Sequence, residues 1–203
     1  MSKKKGRFPG LNFVCGLAGE TPATYDKNEA FLAKVLAAGL MVRRINIRQV
    51  MPFEGTRVYT ENTLGKHDRR FKAFKEFVRQ KIDLPMLKRV FPAGTVLRDL
   101  RIEVSDAISF GRQPGSYPIL AGIPANLPKG AVIDAVVVDW GMRSLTALPL
   151  PLNVNTMPAS VLKWMPGVGK KRVAAVIAKR PFKDVAAFVK VAGSSEMDRF
   201  LVV

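Results

Sequence analysis

The residues best suited to chemistry are Gly167, Val168, Gly169, Lys170, Lys171 and Arg172, a short turn that runs straight into a basic helix start. Two glycines either side of an apolar residue let the backbone turn tightly and approach a ligand closely. Free backbone N–H groups at a helix start, beside three cationic side chains, form a site for phosphate. Contacts of that kind hold a nucleic-acid backbone without reading its bases.

Other chemistries lack their residues. The chain has 203 residues with one histidine and one cysteine, too few for a Cys/His zinc site. His67 has no Ser or Cys partner in a recognisable arrangement, so it reads as a surface residue near a helix start. No carboxylate pair, nucleophile triad, P-loop or dinucleotide fingerprint occurs, and no catalytic or metal-ligating residue is assigned.

Charge supports the phosphate reading. Lys and Arg total 33 against 16 Asp and Glu, a net charge of +17. Nucleic acid is the expected partner. No run approaches the roughly 18 apolar residues of a membrane span, and no apolar signal segment follows the basic start, so a cytoplasmic protein is expected. The charge is uneven. Residues 1–58, 59–98 and 153–203 each carry +6, whereas 99–152 carry −1. Boundaries are expected near 58, 94 and 152, giving an α/β unit (1–58), a basic helical linker (59–94), a β-barrel (95–152) and a helical module (153–203).

The elements that must position these residues follow from periodicity. Residues 11–17 and 42–51 read as strands around a helix that starts at Thr21-Pro22 and ends near Gly39, a parallel strand–helix–strand unit. Two parallel strands need further sheet to be stable. In 66–81, Phe71, Phe74 and Val78 line one helical face beneath basic side chains. Residues 95–104, 116–121, 132–140 and 144–148 read as barrel strands. Thr156 is expected to cap a short helix with Val161, Leu162 and Met165 inside. A second helix starts at Lys170 and packs through Val173, Val176 and Ile177. Val191-Ala192-Gly193-Ser194-Ser195 looks like a second, imperfect hairpin.

Three resemblances refine this. Gly16-Leu17-Ala18-Gly19-Glu20-Thr21 after an apolar strand, with Pro52-Phe53-Glu54-Gly55-Thr56 after the next, resembles the late barrel strands of radical SAM enzymes. That family implies a 4Fe-4S cluster and S-adenosylmethionine, but its CxxxCxxC motif is absent, so no cofactor is expected in this chain. The chain then reads as the downstream portion of such an enzyme, active with the missing half, or as a relic without catalysis. Phe110-Gly111-Arg112-Gln113, Lys129-Gly130 and the strand from Ile133 resemble the TRAM domain, an OB-like barrel implying RNA. Arg101, Arg112, Tyr117, Lys129, Trp140 and Arg143 become candidates for backbone contact and stacking. Asn153-Val154-Asn155-Thr156 and Pro166-Gly167-Val168-Gly169 are similar to the helix-hairpin-helix of competence DNA receptors, implying DNA. A protein-docking module is the remaining alternative for this last region.

Overall fold

The computed structural model describes residues 9–42, 44–61, 63–115 and 118–203, with only the backbone of Arg44. The chain forms two compact units, Met1–Arg89 and Val90–Val203.

In the first unit, β1 (Gly10–Cys15) and β2 (Arg44–Gln49) pair in parallel, with Leu11 opposite Ile45 and Phe13 opposite Ile47. They are joined by α1 (Pro22–Ala37). Thr24 Oγ1 accepts the Thr21 N–H at the helix start. At its end Leu40 N–H reaches Val35 O and Gly39, at φ +70°, donates to Leu36 O, a glycine-dependent cap. The helices α2 (Arg57–Glu61), α3 (Asp68–Phe77) and α4 (Leu84–Val90) follow.

Between α3 and α4 the chain widens into a π-helix, Val78–Asp83, rather than ending near residue 81. Two features of the sequence account for it. The buried residues Phe74, Val78, Ile82 and Met86 recur every four residues, which a wider turn keeps in line. Pro85 has no N–H to give an α-helical bond, and Leu84 donates to Arg79 O instead. These side chains share one core with Cys15, Tyr25, Leu32 and Ile45. The segment that charge sets apart as a linker is therefore packed against the strand–helix–strand, because its phenylalanine stripe is inside.

The second unit opens with a closed five-stranded barrel. Its strands are β3 (Val96–Val104), β4 (Ser109–Arg112), β5 (Leu120–Ile123), β6 (Val132–Trp140) and β7 (Ser144–Pro149). Their order around the barrel is β3-β4-β5-β7-β6, with β6 closing onto β3. Only the β5–β7 pair is parallel. Strand β4 lies between the expected strands, and β5 lies further along than the expected 116–121. Ser116 and Tyr117 fall outside the described residues. Gly111 explains why so short a strand holds. A Cβ there would lie 2.6 Å from Arg101 O, so only glycine allows β4 this close to β3 beside the bulge between Ile102 and Val104. A second irregularity between Leu97 and Leu100 puts Asp99 at φ +53°, and together the bulges curve β3.

Beyond the barrel, β8 (Leu152–Asn153) pairs in parallel with the C-terminal β9 (Leu201–Val202). Between them lie α5 (Ala159–Leu162), α6 (Lys170–Lys179), α7 (Val185–Ala192) and a 3-10 turn, Asp198–Phe200. Helix α6 starts at the residue expected. Helix α5 does not: Pro158 is its N-cap, and Thr156 sits in a turn whose N–H, with that of Asn155, is taken by Asn153 Oδ1 at 3.0 and 2.9 Å.

Candidate nucleic-acid interface

Two helical hairpins lie side by side in 153–203, and their turns differ in what satisfies them. In the first, Val161, Leu162, Met165 and Val168 are buried, so Val168 is a packing residue that pins the turn from inside. Gly167 is at φ +81°, a conformation that favours glycine. Gly169 is the N-cap of α6 with ordinary extended angles, φ −77° and ψ 169°, and a Cβ there would meet nothing within 4 Å. The fold therefore does not require glycine at 169, and the space outside it is open.

No side chain caps α6, and its first turn holds no acidic residue. Lys170, Lys171 and Arg172 occupy that turn instead. Three cations at a positive helix end oppose the macrodipole by about 0.3–1 kcal/mol each when exposed. Lys170 and Lys171 are exposed and make no ion pair among the described residues. Arg172 is not the mobile charge expected. Its Nη1 donates to Gly167 O at 2.8 Å and to Ala192 O at 3.3 Å, tying the first turn to the end of α7. Ile177, expected inside α6, is 45% exposed; Val173 and Val176 carry the packing.

In the second hairpin, Asp184 caps α7 by accepting the Ala187 N–H at 2.7 Å. Gly193 turns the chain at φ +88°. The Asp198 carboxylate then takes the Ser195 N–H at 3.2 Å and the Ser194 hydroxyl at 2.7 Å. A carboxylate of the chain itself thus occupies this turn. Phe182 and Phe188, both buried, pack edge to face at 5.5 Å.

The barrel candidates divide. Arg101 and Arg112 face each other across β3 and β4, and Lys129 is next to Gly130, whose N–H bonds Ile102 O at 2.8 Å. These three gather at one end. Arg101 is exposed, but Arg112 is ion-paired to Glu103. Arg143 lies in the turn after β6, at the opposite end of that strand from Val132, which pairs with Arg101. The eight steps along β6 separate the ends by roughly 26 Å. Trp140 is half-buried, and its indole N–H donates to Phe91 O at 2.7 Å, so it braces the start of the barrel. Arg98, on β3, pairs with Asp134 on β6 at 3.3 Å.

In the first unit, His67 Nε2–H donates to Glu20 O at 3.0 Å, and Glu20 accepts from Gly16 N–H and Tyr25 hydroxyl at 2.8 and 2.6 Å. These bonds fasten the end of β1. Cys15 is buried, and burial followed by the Glu20 charge pushes its thiol above the ordinary 9.0. It is one protonated thiol where a 4Fe-4S cluster needs several thiolates, so the residues present do not fit that cluster. Among the described residues, no three His, Cys, Asp or Glu side chains converge as a metal site. No described helix is long and apolar enough to cross a membrane.

Residues 152–202 match the family model described as "Type II secretion system (T2SS), protein K". An uncharacterised protein of Archaeoglobus fulgidus is 43% identical over 193 residues, covering 94% of this chain and 36% of that protein. An uncharacterised protein of Methanocaldococcus jannaschii is 49% identical over 145 residues, covering 68% of this chain and 26% of its own length. The chain therefore spans about a third or less of the curated relatives it matches.

Proposed function

We propose that this chain binds nucleic acid through the phosphate backbone, without strong sequence specificity, using the first helical hairpin as its anchor. One observation carries the reading: an uncapped helix start, open at Gly169, is crowded by unpaired Lys170 and Lys171. That arrangement costs stability in the free protein and is relieved by a bound anion. The net charge of +17 favours a polyanion. We read 153–203 as helix-hairpin-helix, with a degenerate second copy. The barrel we read as OB-like, of the TRAM kind, and its strand order with a single parallel pair supports that. DNA is favoured by the hairpin, and RNA is an option through Arg101, Arg112 and Lys129.

The test is equilibrium binding of mixed-sequence DNA and RNA of equal length, over a range of salt. Log affinity should fall linearly with log salt, with a slope of about −0.9 per phosphate contacted on duplex. Little change between sequences is expected. No binding at low salt overturns the reading.

Two observations favour neighbouring readings. The parallel strand–helix–strand unit, together with relatives roughly three times as long, favours this chain as one portion of a larger radical-SAM-like protein acting on nucleic acid. A purified longer relative that binds no iron and does not cleave S-adenosylmethionine would exclude that. The match of 152–202 to a secretion-system component favours a protein-docking role for the helical module. That role predicts a specific protein partner and little affinity for free nucleic acid.

A further inference from the structure

We propose that Trp164 is a stacking platform for an unpaired base, so that the first hairpin takes single-stranded or frayed nucleic acid in preference to closed duplex. This rests on the phosphate-binding reading above and adds the class of nucleic acid to it.

Trp164 is 40% exposed, while the nearby apolar residues Leu162 and Met165 are at 0% and 3%. The segment thus has an interior available and leaves its largest side chain out of it. Trp140 provides a contrast, for its indole N–H is held by Phe91 O at 2.7 Å. The Trp164 indole N–H has no partner among the described residues. A tryptophan contributing to packing normally buries its ring and pairs its N–H.

The surroundings decide the occupant. The chain turns continuously here, with Trp164 N–H on Val161 O and Val168 N–H on Met165 O. Trp164 thus lies just past the end of α5, three residues before Gly167, which at φ +81° forms the tight turn from Met165 to Val168 that leads into α6. Exposed Lys163, Lys170 and Lys171 flank the pair and have no acidic partner among the described residues. An exposed indole beside unpaired lysines matches a ligand with both a flat ring and an anionic backbone. In closed duplex the base faces are stacked on one another, so only an unpaired or terminal base offers its ring.

The experiment compares a short oligothymidylate with a mixed-sequence duplex of equal length, reading affinity and indole fluorescence. The single strand should quench the fluorescence and bind at least about fivefold tighter than duplex. Quenching should vanish in Trp164→Phe while much of the preference remains, and Trp164→Ala should bring the two ligands close to parity. Bound single strand without quenching, or an unchanged preference in Trp164→Ala, overturns the proposal. The quenching readout uses the unaltered chain, so it stands even if a variant misfolds. If both ligands bind and Lys170→Ala/Lys171→Ala weakens both, while Trp164→Ala changes nothing, this inference fails and the phosphate reading survives. If neither ligand binds at low salt, both fail.

Discussion

The two hairpins share a design and have opposite electrostatics. Both turn on a glycine with positive φ, Gly167 at +81° and Gly193 at +88°, and both lead toward a helical turn. Asp198 fills the second with an internal carboxylate that satisfies Ser194 and Ser195. The first is left without a cap, and lysines gather where a carboxylate would be most stabilising. A turn that only has to hold the fold satisfies its own amides. The first turn gives up that stability, which is the feature on which the proposed anion site rests. Arg172 joins the two, donating to Gly167 O and Ala192 O, so the second hairpin acts as the base on which the first is set.

The sharpest way to break this contrast is to remove the charges. Lys170→Ala/Lys171→Ala should weaken nucleic-acid binding by more than about tenfold at low salt and flatten the salt slope by about two contacts. Lys190→Ala, in the last turn of α7 beside the second hairpin, should leave the slope unchanged. Salt titration of both variants checks this. Equal losses would remove the asymmetry between the hairpins.

A pair of glycine substitutions separates binding from folding. Gly169→Ala meets no atom within 4 Å and has favourable angles, so thermal stability should hold while affinity drops by about three- to tenfold. Gly193→Ala should do the reverse. Its φ is +88°, and its Cβ would lie 2.5 Å from the tethered Arg172 Nη1, so a loss of about 1–2 kcal/mol of stability is expected. Melting curves and binding isotherms on both variants would show the crossed pattern. Asp198→Ala belongs with Gly193→Ala: losing the carboxylate that caps the terminal turn should cost about 1 kcal/mol. If it instead created a marked gain in nucleic-acid affinity, the second turn would be an occluded site and not a brace.

How much of this was legible in the sequence depends on how local each cause is. The start of α6 follows from Gly169-Lys170 and the Val173/Val176 spacing, all within one turn or two. The parallel strand–helix–strand follows in the same way from 11–51. The role of Arg172 could not be read, because its acceptors include a carbonyl 20 residues away, at Ala192. Strand β4 was hidden because four residues containing a glycine show no alternation, and it exists only because Gly111 lets it approach Arg101 O. The basic helices after residue 59 looked like a linker because charge describes their outer face, whereas Phe71, Phe74 and Val78 decide where they pack. The open state of Gly169 was also out of reach, since a glycine's type does not reveal whether its missing Cβ faces the protein or solvent.

The smallest effect expected lies in the barrel, and it tests whether the comparison extends beyond the hairpins. Arg112 is ion-paired to Glu103, so its charge is already partly neutralised for an approaching phosphate. An exposed pair of this kind is worth only about 0–1 kcal/mol to stability, so either partner can be replaced without unfolding the barrel. Arg112→Ala should change affinity by less than about threefold and leave the salt slope nearly intact. Glu103→Gln releases Arg112 beside Arg101 and should strengthen binding slightly, most visibly for RNA if the barrel contributes there. Should Arg112→Ala weaken binding as much as the double lysine variant, the anchor would be the paired barrel surface, and the unpaired hairpin would lose its claim to the role.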